Sequence, residues 1–282
     1  MRRMRRLSLL KLLRGAAAMA LLLVPPASQV RAQGGGAPPP SLERLLQAAR
    51  TGDVAGVARA LSSGAPIDGG DPKRGETALM RAAAFGQRAT VQALLSAGAN
   101  PLAESAGKRT ALHAAAEGGN VDIIRDLLSK GLPVDGGADR GDTPLTVACA
   151  ARQPAAIEAL VAAGARHEAM GSDCGTLADL IGRSLANDTG SRDLPVIRAF
   201  IRARSGLEVA GRVSGTPIQA VVAGCHQTDA PQIARLLIDA GVNLEVKTAA
   251  GLTVMDEARR RLQGEPRCAA TVAEFDRRIG RR

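Results

Sequence analysis

Aromatic side chains are almost missing from this 282-residue chain, which has no Trp, no Tyr and only Phe85, Phe200 and Phe275. Stacking on bases, sugars or flat cofactors therefore has almost nothing to stand on, and small aliphatic residues must build the core. Long apolar runs are missing too. The stretch Gly15–Val24 is too short for a membrane span, which takes about 20 residues. Acidic residues are absent from positions 1–32, which hold seven of the 37 Lys and Arg. The formal charge of +10 is thus concentrated at one end, and the other 250 residues carry 30 bases against 27 acids. A near-neutral body excludes bulk attraction to phosphate backbones or membrane surfaces. With 45% apolar and 23% charged residues, the chain has material for a sizeable core and is too polar for an integral membrane bundle.

Catalytic signatures are missing as well. The sequence contains no G-x-S-x-G, no H-E-x-x-H and no Gly-rich phosphate loop followed by Lys-Ser or Lys-Thr. Of the three histidines, His226 stands next to Cys225, but this pair lacks the second ligand pair that a zinc site requires. No metal, no cofactor and no enzymatic activity are expected.

What is present begins with an export pattern. A basic head (Met1 to Arg6), the apolar run and small residues at Val30 and Ala32 form a signal peptide over 1–32, cleaved after Ala32 or alternatively near Ala27. Arg5, Arg6 and Lys11 are arranged partly as in a twin-arginine signal, but Ser8 favours the general secretory route. These features, with the Ala-, Gly- and Arg-rich composition, point to the bacterial periplasm. Residues 33–40 (QGGGAPPP) cannot pack and form a linker. No membrane association is expected once the signal is removed.

The rest of the chain repeats. Thr77, Thr110, Thr143, Thr176, Thr216 and Thr253 each lead an apolar segment, at spacings of 33, 33, 33, 40 and 37 residues. A second marker keeps step, from Gly64-Ala65 through Gly98-Ala99, Gly131-Leu132, Gly164-Ala165 and Gly206-Leu207 to Gly241-Val242. Each unit reads as two helices: an Ala-rich one such as Ala78 to Phe85, then one with helical apolar spacing such as Val121, Ile124 and Leu128. Gly131 suits a left-handed helix end, and Pro133 to Gly137 suits a protruding hairpin. Neither helix can bury its apolar face alone, so units must stack.

With Thr143-Pro144-Leu145, Thr216-Pro217-Ile218 and Thr110-Ala111-Leu112-His113, the chain resembles the ankyrin-repeat family. The resemblance covers 41–282 and implies an all-α solenoid of stacked helix-turn-helix units with short β-hairpin loops. About seven units are expected, with 41–65 and 251–282 as caps. Two departures stand out: a long connection at 186–193 before a helix from Leu194 to Ala203, and another at 224–231.

Unit geometry also orders the cysteines. Cys225 and Cys268 occupy the helix–helix joints of the sixth and last units, which stacking places side by side, so they are expected to form a disulfide worth about 3 to 4 kcal/mol. Cys149 reads as a small buried hydrophobe, and its distance to Cys174 looks too long for a bond, which leaves that second pair open. The resemblance gives His113 the structural task of tying neighbouring hairpins through backbone bonds. His167 falls on a hairpin.

The function implied is non-enzymatic binding of another protein, by a monomer, through the concave face of hairpins and first helices, with no nucleic-acid partner. Position by position, that face comprises Lys73, Arg74, Glu76 and Phe85 in the second unit and Arg109 and Glu117 in the third. Asp139, Arg140 and Asp142 follow in the fourth, then Ser172, Asp173 and Arg183, then Arg212 and Val213, and finally Arg260. Two alternatives are an inhibitory or protective module for a toxin or stress-response enzyme, and a hydrolase using the insertions at 186–193 and 224–231.

Overall fold

Thr-led segments become helices because the threonine caps them. In the computed structural model, which describes residues 39–166, 175–187, 189–211, 215–248 and 250–279, six first helices start one residue after Thr77, Thr110, Thr143, Thr176, Thr216 and Thr253. The hydroxyl accepts an otherwise orphaned N–H from the third helical residue, as in Thr77 with Met80 (3.3 Å), Thr176 with Asp179 (3.2 Å) and Thr253 with Asp256 (3.2 Å). The side chain at that third position often returns a bond to the threonine N–H, a task shared by His113, Thr146, Asp179 and Gln219.

Among the described residues there are 14 α-helices, arranged as seven pairs. The pairs are α1 (Pro40–Thr51) with α2 (Val54–Ser62), α3 (Ala78–Ala84) with α4 (Arg88–Ser96), and α5 (Ala111–Glu117) with α6 (Val121–Ser129). They continue with α7 (Pro144–Ala150) and α8 (Pro154–Ala162), then α9 (Leu177–Ala186) and α10 (Gly190–Arg202). Last come α11 (Pro217–Ala223) with α12 (Ala230–Asp239) and α13 (Val254–Gly264) with α14 (Ala269–Ile279). The fold is an all-α solenoid. Among the described residues the connections at its hairpin positions are turns rather than strands, with isolated bridges at Gly211–Gly215 and Lys247–Thr253, and they close through bonds such as Asp71 N–H to the Glu76 carbonyl (3.0 Å) or Ser105 N–H to that of Arg109 (2.9 Å).

Units are tied sideways at both ends. Hairpins meet through the Ala106 N–H on the Arg74 carbonyl (2.8 Å) and the Asp139 N–H on that of Gly107 (3.0 Å). At the helix turns, Gln87 donates to the Arg50 carbonyl (3.3 Å) and Asn120 to those of Ala83 (2.8 Å) and Ala84 (3.2 Å), using carbonyls that a helix end leaves open. Gly118 is pressed against the Ala84 carbonyl, where a Cβ has no room.

Second helices pack in an unbroken row from α2 to α14, whereas first helices pack closely from α1 to α7 and again from α9 to α13. The exception is the step from α7 to α9. Five residues after the threonine, α3, α5 and α7 carry Ala82, Ala115 and Ala148, all fully buried, but α9 carries the equally buried Ile181. On the other side of this step α10 starts at Gly190, earlier than the expected Leu194, so most of the 186–193 insertion becomes helix instead of loop. Its Asp193, 8% exposed, pairs with Arg152 (Nη1–Oδ1 2.5 Å). The sixth-unit insertion shortens likewise, since α12 begins at Ala230.

Phe200 and Phe275 are fully buried, and the remaining core is Leu, Ile, Val and Ala. Cys225 and Cys268 are joined, with Cα atoms 4.8 Å apart. Cys149 is buried as expected, but it is disulfide-bonded too. Cys174, its expected candidate partner, lies outside the described residues. No described helix is long and apolar enough to cross a membrane.

Candidate protein-interaction face

Three depressions lie against the first helices, each between neighbouring units. The largest, about 760 Å³, is bounded by α1 (Pro40, Arg44, Leu46) and by Asp71, Lys73 and Arg81 of the second unit. Asp71 organises this end. Its carboxylate accepts the N–H groups of Lys73 (2.9 Å), Arg74 (2.9 Å) and Glu76 (3.1 Å) and pairs with the Arg81 guanidinium (3.3 Å). Burial pulls the Asp71 pKa upward, but these donors outweigh it and hold the carboxyl below the usual carboxylate range. Lys73, Arg74 and Glu76 thus share a hairpin held by an aspartate that was not singled out in the sequence.

The second depression, about 290 Å³, unites Arg109, Glu117 and Asp142 with Val147 and Ala150. Arg109 forms a close ion pair with Glu117, one end of α5 to the other. Beneath them His113 is buried, with Nδ1 accepting the Thr110 N–H (3.2 Å) and Nε2 donating to the Asp142 carbonyl (3.3 Å). Burial pushes its pKa below the usual 6.5, against the weaker opposing pull of the Asp142 carbonyl, so the imidazole is neutral and structural. Asp139 pairs with Lys108 (3.5 Å).

The third depression, about 360 Å³, lies between α11 and α13. Arg260 borders it, gripping Glu257. Phe85 stands apart from all three. It caps the end of α3, is 56% exposed and has the Arg50 guanidinium 5.8 Å from its ring centre. Arg183 is exposed on α9, its Nε 3.4 Å from the Asp179 carbonyl. Ser172, Asp173, Arg212, Val213 and His167 lie outside the described residues, as does the Arg140 side chain.

Residues 102–170 match the family model described as ankyrin repeats (3 copies), and residues 74–106 match that for a single ankyrin repeat. Residues 74–170 carry ankyrin repeats. Comparison with curated proteins finds no match. Ankyrin arrays typically act as non-enzymatic protein-interaction modules, and the helix pairs of this array continue beyond the matched residues on both sides.

Four residues lining these depressions, Asp71, Arg81, Glu257 and Arg261, were not singled out in the sequence. A signal existed for each pair. Asp71-Pro72 opening a turn to Gly75 is an aspartate-anchored hairpin, and Glu257 stands three and four residues before Arg260 and Arg261, the spacing of same-face helical pairs. Among the described residues no three His, Cys, Asp or Glu gather as a metal-ligand group.

Proposed function

We propose that this ankyrin array binds another protein through its hairpin and first-helix face, and that it does so in the bacterial periplasm. In this reading residues 1–32 are the export signal, 33–40 a linker and 41–282 the binding domain. The observation that carries it is the row of open depressions on one face, where several charged residues are already held by partners within the chain, Arg81 by Asp71, Arg109 by Glu117, and Arg260 and Arg261 by Glu257. Side chains held in place before a partner arrives lose little freedom on binding, so more of the contact energy appears as affinity. The Cys225–Cys268 disulfide fits an oxidising compartment.

Site-specific photo-cross-linking tests the face. A benzophenone side chain at Ala150, exposed beside the second depression, is compared with one at Arg125, exposed on α6, in periplasmic extract of the parent bacterium. A discrete cross-linked species from Ala150 and none from Arg125 is expected. Cross-links from Arg125 alone, or from neither position, would reject the face.

A further inference from the structure

At the C-terminal end of the first-helix face, two guanidinium groups close on one buried carboxylate. Arg260 holds Glu257 through Nε–Oε2 and Nη2–Oε1, both 2.9 Å, and Arg261 adds Nε–Oε1 at 2.8 Å. Both Glu257 oxygens are spent, yet the trio keeps one surplus positive charge. The depression between α5 and α7 has the opposite balance. There Arg109 is committed to Glu117, and the Asp142 carboxylate makes no ion pair among the described residues. The residues lining the two depressions thus differ in balance, one cation against two carboxylates in the middle and two cations against one carboxylate at the end.

Neither arginine of the end depression is loose. Arg261 also donates Nη1 to the Ala223 carbonyl of the preceding unit (3.2 Å), while Arg260 stays 63% exposed although its fork is held. A guanidinium fixed in advance gives up little on meeting a further acceptor. The exposed Ala223 and Ala250 supply aliphatic walls over the buried Val222 and Val254, and Thr248, whose hydroxyl has no hydrogen-bond partner, also lines the space. The walls are pinned by the Cys225–Cys268 disulfide, which joins the turn after α11 to the turn before α14.

We propose that this depression anchors an acidic side chain of the partner protein, an Asp or Glu flanked by aliphatic residues, against Arg260 and Arg261. The inference rests on the first-helix face being the binding surface, and it adds the chemistry of what one end accepts. The incoming carboxylate neutralises the surplus charge, and its aliphatic neighbours cover Ala223 and Ala250. Nucleic acid fits less well, because a single surplus charge and a ring-free lining offer it neither strong phosphate attraction nor a stacking platform.

NMR titration of the full chain with acetyl-Leu-Glu-Leu-amide and with acetyl-Leu-Gln-Leu-amide separates charge from shape. The glutamate peptide should give saturable shifts of the Arg260 and Arg261 Nε–H signals and of the Thr248 and Val254 amides. Affinity should fall about tenfold for the glutamine peptide, and equally for the glutamate peptide on Arg260→Gln, the loss expected for one charge-assisted hydrogen bond. Arg260→Lys, which keeps the charge but not the guanidinium's remaining donors, should fall between, and it serves where Arg260→Gln does not fold. Equal response to the two peptides, saturation elsewhere, or unchanged affinity in the variants would overturn the proposal. Equal shifts from inorganic phosphate, or larger ones from a thymidine oligonucleotide, would overturn it in favour of an indiscriminate anion site or a nucleic-acid site. A failed titration beside intact cross-linking from Ala150 removes this subsite alone, whereas failure of both removes the face.

Discussion

In the second, third and fourth units a buried alanine stands five residues after the capping threonine, whereas in the fifth unit Ile181 takes that place, and the array changes character there. Before this step the period is 33 residues and neighbouring units are held by many small, repeated contacts. After it the period lengthens to 40 and 37, and single strong devices replace the uniform ones: Arg152 on buried Asp193, the Cys225–Cys268 disulfide, and two arginines on Glu257. Stack stability is a sum over unit interfaces, so regularity can be given up only where something else secures the interface. The matched residues, 74–170, fall on the regular side apart from the hairpin leading into the fifth unit.

The comparison breaks most visibly through the disulfide. Replacing Cys225 and Cys268 by alanine should cost about 4 kcal/mol, from the chain entropy released over a separation of 43 residues. Denaturant unfolding followed by circular dichroism should then split into two transitions, with the C-terminal units melting first. A single transition at the original midpoint would show that the irregular half needs no clasp.

A middle-sized effect is expected at Arg152, which adopts φ +56° where the second and third units place Gly86 and Gly119. Arg152→Ala keeps that backbone and strands the Asp193 carboxylate, costing about 2 kcal/mol, less than for a fully buried pair because Arg152 is half exposed. Arg152→Gly should recover roughly 1 kcal/mol of this by relieving the left-handed backbone. Midpoints of urea unfolding rank the three proteins. Glycine no better than alanine would mean that the conformation carries no strain.

The smallest effect sharpens the regular half. Because burial depresses the His113 pKa below 6.5, the unfolded chain takes a proton first as the pH falls. Stability is therefore complete above about pH 6.5 and declines below it, by at most about 1.4 kcal/mol per pH unit, until the folded imidazole also titrates. His113→Gln should remove this slope while keeping the cap, since Gln219 already accepts the Thr216 N–H at the equivalent position (2.8 Å). Parallel stability–pH curves for the two proteins between pH 5 and 7 would place the titration elsewhere.

Much of this was legible in the sequence because the relevant distances are local or one repeat long. The threonines mark helix starts since a cap acts over three residues, and Cys225 could be paired with Cys268 since equivalent joints become neighbours. Arg109, Glu117 and Asp142 were chosen separately and meet in one depression for the same reason. Phe85 misled the reading: a large apolar residue suggests an anchor on the face, but its position at the end of α3 sends it to the helix-turn edge beside Arg50. The second-helix start in the fifth unit misled it too, because Pro195 looks like a first-turn residue until the preceding turn is seen to be helical.

Period, helix pairing, caps and the absence of aromatic chemistry were determined by the sequence itself, since each is set by spacing, composition or a bond to a near neighbour. Which charges remain available, how far α9 stands from α7, and where two arginines share one carboxylate were decided only by the tertiary structure. Those outcomes depend on side-chain volumes and ion-pair geometry, which take effect only when helices meet, and a linear pattern of residue types does not carry them.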